Sequence, residues 1–264
     1  ILNRNIFKRR EFSLVGISIV YPQQLFFALL IAKLIKEEFD KNIHIVFGGP
    51  QITKHINDLI ASENMSAYVD FFITHDGEEP LLNLITDLPK KHFSKVPNLY
   101  FRSPDKTKGY ENSGGTFFLH PKDILAPDFT DFDLDAYSYG LSVLASKGCF
   151  WSKCNFCTYR TMYENRYFCG TVDNTLKIIR ELKKKYGVSH YQFVDDALPP
   201  KFMRKFAEGL IEQKLDIEWT SFSILVRDFT NKNLCFLLKK SGARRFAIGL
   251  ESISPRILNL MNKY

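Results

Sequence analysis

The sequence predicts an α/β protein in two parts: a doubly wound parallel sheet over residues 1–95 and part of a (β/α) barrel over 141–264, joined by a linker over 96–140. Three observations predict this. Short apolar runs alternate with segments of helical spacing in both parts, the pattern of parallel strands covered by helices. Glycine, proline or acidic residues stop each apolar run. The composition is that of a globular chain: of 264 residues, 45% are apolar and 25% charged, enough to build one or two packed cores.

In the first part, Leu14–Val20 reads as a buried strand broken by Tyr21-Pro22, and Leu25, Leu29, Ala32 and Ile35 then follow helical spacing. Ile43–Phe47 is the next strand and ends at Gly48-Gly49-Pro50; a short helix runs from Ile56 to Ala61. Val69–Ile73 is a third strand, followed by the turn His75-Asp76-Gly77 and a helix from Pro80. In the linker, Asn98–Phe101 has strand character, Pro104-Asp105, Lys108-Gly109 and Gly114-Gly115 signal turns, and the run from Ala126 to Tyr137 is expected to lay Phe129, Phe132 and Leu134 on a domain surface.

The second part opens with a strand, Leu141–Ala145, leading into a cysteine loop. Val172, Leu176, Ile179 and Tyr186 mark a helix closed by Gly187. His190–Val194 is a strand ending at Asp195-Asp196, and Phe202, Phe206 and Leu210 mark the helix after it. Ile217–Leu225 ends near Arg227; Thr230 is the expected cap of a helix through Leu234, Leu237 and Leu238, which stops at Gly242. Arg245–Leu250 ends in Glu251-Ser252, and Pro255 opens one more helix. Four βα units are half of an eight-unit barrel. With an opening Ile-Leu-Asn-Arg that lacks methionine, this makes the sequence read as a piece of a longer protein, incomplete at its N-terminus and truncated at its C-terminus. Asp195, Asp196, Arg227, Glu251 and Ser252 fall at C-terminal strand ends, where parallel α/β folds bind ligands.

The formal net charge is +7. The basic residues are scattered, and the runs Lys183-Lys184-Lys185 and Lys239-Lys240 sit in the last turns of expected helices, where cations favour the helix dipole. No basic stripe or RNA-binding motif is present, so nucleic acid is not the expected partner. Leu25–Ile35, the most apolar stretch, is too short to span a bilayer and is interrupted by Lys33, so no membrane association is expected.

Of five cysteines, Cys149, Cys154 and Cys157 lie within nine residues at C-x4-C-x2-C spacing; Cys169 and Cys235 stand apart. An odd count with one tight cluster is not a secreted disulfide framework but a metal site in a reducing compartment, here the cytoplasm. Thiolates select zinc or iron–sulfur clusters. Three close cysteines can hold a cubane and leave one iron open to substrate. A structural zinc or a closed electron-transfer cluster completed by Cys169 fits the spacing as well. Zinc ribbons usually carry two C-x2-C pairs on turns, whereas this loop has one and directly follows the first strand of the barrel-like pattern, which favours iron–sulfur.

Lys147-Gly148, the C-x4-C-x2-C run and the aromatic Phe156 before the last cysteine resemble the signature of cobalamin-binding radical S-adenosylmethionine (SAM) enzymes, C-x3-C-x-aromatic-C after a strand and Arg/Lys-Gly, with one residue inserted in the first gap. The resemblance extends through Phe193-Val194-Asp195-Asp196 and through Ile248-Gly249-Leu250-Glu251-Ser252 to Met261-Asn262-Lys263. In the first part, Gly16, Ser18, Gly48-Gly49-Pro50 and Gly77-Glu78 resemble the elements that line the nucleotide tail in cobalamin-binding domains. The Asp-x-His-x-x-Gly motif that supplies a cobalt ligand in many such domains is absent, and His44 reads as a core or pairing residue.

The resemblance implies a Rossmann-like, flavodoxin-type cobalamin domain followed by a TIM-type radical SAM barrel. It implies a [4Fe-4S] cluster on Cys149, Cys154 and Cys157 that reductively cleaves SAM to a radical that abstracts a substrate hydrogen. Phe156 would lie near the adenine, Asp195 and Asp196 would accept from the SAM ammonium, Glu251 would hold ribose hydroxyls, and Arg227 and Ser252 would complete the strand-end array. The implied reaction is cobalamin-dependent methyl transfer to an unactivated carbon of a small molecule or peptide, with an electron donor such as flavodoxin or ferredoxin. The alternatives are radical rearrangement or nucleic-acid modification without methylation, and, outside enzymes, a zinc-stabilised binding module.

Overall fold

The computed structural model describes residues 12–103, 105, 109–137 and 140–263. The turn signals at Pro104 and Lys108 and the opening residues fall outside the described residues. The chain forms two compact units, Ile1–Leu119 and His120–Tyr264.

In the first unit β1 (Leu14–Ser18), β2 (His44–Gly48) and β3 (Phe71–Ile73) are parallel, and β4 (Leu99–Arg102) and β5 (Tyr110–Asn112) extend the sheet antiparallel in the order β1-β2-β3-β4-β5. The helices are α1 (Pro22–Leu34), α2 (Pro50–Ile60), α3 (Glu63–Tyr68) and α4 (Glu78–Asp87). Strand alternation explains the layers. Ile45, Phe47 and Phe72 share a core with Ala28, Ala32, Ile52 and Met65 of α1–α3, whereas Val46, Phe71 and Ile73 share another with Leu84 of α4. Helices thus cover both faces, as expected, but the strands run in sequence order, without the reversal of a doubly wound sheet. Pro50 at the first helical position makes the Gly49-Pro50 stop a helix start as well, so α2 begins six residues before the expected Ile56.

The linker bounds are corrected, while Phe129 and Leu134 do lie on a domain surface as expected. Residues up to Leu119 belong to the first unit, where β4 pairs with β3 through Ile73 and Leu99. Residues from His120 belong to the second, where Ile124, Ala126, Phe129 and Leu134 pack against its core. This strap is fixed by hydrogen bonds from the Tyr186 hydroxyl to Asp128 (2.7 Å), from the Phe129 N–H to the Tyr186 oxygen (2.7 Å) and from Asn174 to the Ile124 carbonyl (3.1 Å). Apolar residues spaced among turn formers read as a linker in sequence because the surface they cover is distant in the chain.

In the second unit β6 (Leu141–Val143), β9 (His190–Phe193), β10 (Glu218–Ser223) and β11 (Ala243–Ile248) form a parallel sheet in that order, an arc of consecutive βα units. A two-residue antiparallel pair, β7 (Ser146–Lys147) with β8 (Phe168–Cys169), frames the cysteine loop. The helices are α5 (Val172–Tyr186), α6 (Pro200–Glu212), α7 (Lys232–Lys240) and α8 (Pro255–Leu260). The core centres on Trp219, whose ring meets Phe193, Phe206 and Phe246 edge-on at centroid distances of 5.8, 5.5 and 5.5 Å. Gly187 closes α5 with φ 67° as expected. The cap of α7 is not Thr230 but Asn231, whose Oδ1 accepts from the N–H groups of Asn233 and Leu234; the Thr230 hydroxyl instead donates to the Arg227 carbonyl. Gly242 (φ 89°) lets the chain leave α7 over the Ile217 carbonyl, which any Cβ there would overlap.

Candidate active site

At the C-terminal ends of β9, β10 and β11 lies a cavity of about 440 Å³ lined by Cys149, Cys154 and Cys157 together with Phe156, Asp195, Asp196 and Glu251. The sheet supplies its apolar wall through Val194, Phe222 and Ile248. Seven residues singled out in the sequence therefore meet in one place. Arg227 and Ser252 are not among the lining residues: Arg227 opens the exposed turn before α7, and the Ser252 hydroxyl accepts from the Ser254 N–H at the start of α8.

The cysteine loop owes its path to two backbone features. Gly148 has φ 77°, and a Cβ there would stand 2.5 Å from the Arg166 carbonyl oxygen, which explains the glycine before Cys149. Ser152, inside the longer first gap, adopts φ 46°, a left-handed turn that absorbs the extra residue. The loop is then latched to the chain that follows α8. The Trp151 indole N–H donates to the Asn262 carbonyl (2.9 Å) and the Asn155 N–H to that of Met261 (3.0 Å). The Asn155 amide donates to Leu260 (3.0 Å) and the Asn262 amide to Lys153 (3.0 Å). The same segment brings Lys263 into the cavity. Its side chain is 8% exposed, its ammonium is 2.9 Å from a Glu251 oxygen, and it stands 5.8 Å from the centre of the Phe156 ring.

The two aspartates after β9 separate in role. Asp195 is 1% exposed, and its carboxylate is taken up by its neighbours: Oδ1 accepts from the Ser146 hydroxyl (2.5 Å), and the Ala145 N–H lies 3.2 and 3.3 Å from the two oxygens. These contacts brace β6–β7, and Asp195 also lines the cavity beside Asp196. Asp196 accepts from the Gly148 backbone. Burial pushes both carboxyls up to about 6. Glu251 sits at φ 60°, a left-handed backbone unusual for a residue of its type and the kind of local strain found at functional sites.

Burial pushes the Cys154 thiol up, the nearby Lys263 ammonium acts the other way, and Cys157 and Cys149 add to the rise, so the three thiols feel one another electrostatically. Among the described residues no three His, Cys, Asp or Glu side chains stand close enough to share a single metal ion. A four-iron cubane is wider than one ion, so its ligands stand further apart; three thiols around a shared cavity suit such a cluster. Cys169 does not line this cavity; it lies in β8 beside Tyr167 and Asp195, and burial raises its thiol.

The first unit has its own pocket, about 540 Å³, at the C-terminal ends of β1–β3 and the start of α4. Gly16, Ser18, Gly48, Gly49, Gly77 and Glu78 line it; Pro50, at the start of α2, does not. Gly16 and Ser18 pair with Val46 and Gly48 across the β1–β2 ladder, so glycines on neighbouring strands leave the sheet edge open to a bulky ligand. Gly49 (φ 96°) is obligatory, since a Cβ would come 2.7 Å from the Ile19 carbonyl oxygen. His75, read in the sequence only as part of a turn, lines the pocket with Asp76 and Leu81. His44 pairs with Leu14 in the ladder and lies 4.0 Å from Asp70, a pairing residue as expected.

Lys263 and the latch escaped sequence reasoning. Their only sequence signal was the Met261-Asn262-Lys263 run, which carries no periodicity and lies more than a hundred residues from the cysteines.

Among the described residues no helix is long and apolar enough to cross a membrane. Residues 143–264 match the model of the radical SAM superfamily. The chain is 26% identical to an uncharacterized methyltransferase of Pyrococcus horikoshii over 98% of its own length and 56% of the relative's. It is 30% identical to the bacteriochlorophyllide d C-12(1)-methyltransferase of Chlorobaculum tepidum over 55% of its own length and 33% of that protein's. The chain thus spans about half or less of the curated relatives it matches. Residues 143–264 are thus similar to the radical SAM superfamily, and the chain is similar to proteins named as methyltransferases.

Proposed function

We propose that Cys149, Cys154 and Cys157 hold a [4Fe-4S] cluster, that SAM binds in the adjoining cavity, and that the chain serves methyl transfer to an unactivated carbon of a small molecule or peptide, with cobalamin in the pocket of the first unit. The observation that carries this reading is the meeting of the three cysteines with Asp196, Glu251 and Phe156 around one cavity. When bound, these cofactors supply one-electron cleavage of the sulfonium and the methyl group. The chain's residues bind and orient. Asp196 accepts from the SAM ammonium, Glu251 from ribose hydroxyls, and Phe156 offers its face to the adenine. Val194, Phe222 and Ile248 keep water from the reacting carbon. Lys263 holds Glu251 in place through their ion pair. The electron comes from a donor such as flavodoxin or ferredoxin in the reducing cytoplasm. The glycines of the β1–β2 edge support cobalamin in the first unit, bound without the Asp-x-His-x-x-Gly ligand.

The test is iron, sulfide and zinc content after anaerobic reconstitution, with electron paramagnetic resonance of the reduced protein before and after SAM. About four irons and four sulfides per chain, a signal that SAM perturbs, and loss of both in Cys154→Ala are expected. Zinc without sulfide would refute the reading. S-adenosylhomocysteine among the products, and visible-spectrum changes on adding hydroxocobalamin, would support methyl transfer; 5′-deoxyadenosine alone would support a radical reaction without it.

A further inference from the structure

The open face of the second unit's sheet carries a row of polar side chains that no part of the proposed chemistry uses. The ladders place Ser142 beside Gln192, Gln192 beside Thr220, and Thr220 beside Arg245. Their chain neighbours Leu141, Val143, Tyr191, Phe193, Trp219 and Phe246 pack into the helix-covered core. Strand alternation therefore turns the four polar residues to the opposite side, toward the barrel lumen. Lumens of such barrels are normally filled by branched apolar side chains, so four abreast that are polar call for an explanation.

Arg245 reaches this row only through a bulge. Trp219 pairs with Ala243 and Thr220 with Arg245, leaving Arg244 as the extra residue. In unbroken register Arg245 would lie opposite Ser221, on the helix side, and bury its charge. The two arginines then part company. Arg244 pairs with Glu218, which also takes His190 at 2.8 Å, so that ion cluster is satisfied. Among the described residues Arg245 has no acidic partner, and the side chains of Ser142, Gln192 and Thr220 have no hydrogen-bond partner. Two residues further along the strands, about 6.6 Å at the rise of a parallel strand, Val194, Phe222 and Ala247 form the apolar wall of the cysteine-lined cavity.

We propose that this row is the substrate-anchoring site, and that it holds the anionic oxyacid group, carboxylate or phosphate, of an amphiphilic molecule whose apolar carbon lies against Val194, Phe222 and Ala247. The guanidinium of Arg245 matches the planar oxygens of such a group in two parallel hydrogen bonds, and Ser142, Gln192 and Thr220 supply neutral donors beside it. This rests on the reading of the cavity as the place of radical chemistry and narrows its substrate to acids with an apolar body.

The test uses the reconstituted chain with SAM bound and calorimetric titration of octanoate, octyl phosphate and neutral octanamide. At least one anion binds about tenfold or more tightly than the amide; the tighter of the two identifies the acid. Arg245→Gln removes that preference, and Arg244→Gln leaves it intact. Equal binding of all three probes, no binding of either anion, or an anion preference that survives in Arg245→Gln overturns the proposal. Iron, sulfide and the SAM-dependent resonance are read on the same samples. Their failure sinks the radical reading, whereas an anion preference lost in Arg245→Gln with intact cluster signals speaks for the anchoring site alone.

Discussion

Replacing Asp195 with asparagine removes a defined share of the pH dependence of the second unit's stability. Burial at 1% exposure pushes the Asp195 carboxyl from its ordinary 3.8 to about 6. The folded state therefore holds this proton more tightly than the unfolded one. Below about pH 4 both states are protonated and the group is neutral to stability. As pH rises from about 4 to about 6 the unfolded chain ionises first, so stability falls through that window and levels off above it. A shift of about two units at about 1.4 kcal/mol each is about 3 kcal/mol. Asparagine keeps an oxygen to accept from the Ser146 hydroxyl and the Ala145 N–H but has no proton to lose. The assay is urea unfolding at several pH values followed by tryptophan fluorescence. Both tryptophans, Trp151 and Trp219, lie in the second unit, so the signal reports that unit alone. Asp196, also pushed up to about 6, adds a second contribution that the variant retains. The difference between parent and variant isolates Asp195: it should grow by about 3 kcal/mol in favour of asparagine between about pH 3 and 7. A parent–variant difference that stays constant across this range would refute the reasoning.

Gly242→Ala should destabilise the second unit by about 3 kcal/mol or more, because the new Cβ overlaps the Ile217 carbonyl at a φ of 89°; urea unfolding reads it directly. Asn262→Ala cuts one latch contact, the side-chain hydrogen bond to the Lys153 carbonyl, and disfavours the left-handed turn at φ 53°; it should weaken iron retention under a chelator about tenfold while the far-ultraviolet circular dichroism stays unchanged. Cys169→Ser should keep the full iron content, because Cys169 lies outside the cysteine-lined cavity; iron loss there would restore the four-cysteine site. Asn231→Ala should cost about 1 kcal/mol through the lost cap of α7, whereas Thr230→Ala should cost less, as thermal melts would show.

Much of the site was legible because parallel α/β folds deliver strand-end residues to one edge: Cys149, Asp196 and Glu251 are far apart in sequence yet come after β6, β9 and β11 of one sheet. The glycines of the first unit were legible for a similar reason, since a missing side chain at a strand end has few other uses. What escaped depended on contacts that no local pattern encodes. Asp195 and Asp196 look alike in sequence, and only the Ser146 hydroxyl and the Ala145 N–H decide which is bound up internally. The strap from Pro121 to Leu134 read as a linker because its apolar residues have no period, being spaced to fit the surface of α5. The bulge in β11 was invisible because its extra residue, Arg244, lies just before the expected strand Arg245–Leu250, although it decides on which side of the sheet Arg245 falls.

The latch between the cysteine loop and residues 260–263 has a consequence for biogenesis. Trp151 and the residue that receives its indole proton are 111 positions apart. During synthesis the three thiols emerge long before their clamp, and until the fourth βα unit has docked the loop lacks its hydrogen bonds to residues 260–262. On the proposed cluster assignment, delivery of iron and sulfide would thereby be coupled to completion of that unit. A chain stalled before residue 260 presents loose cysteines to the assembly machinery, while a chain carried past it presents a preformed cradle. The metal content of a population of these molecules would then act as a count of those that had folded through α8.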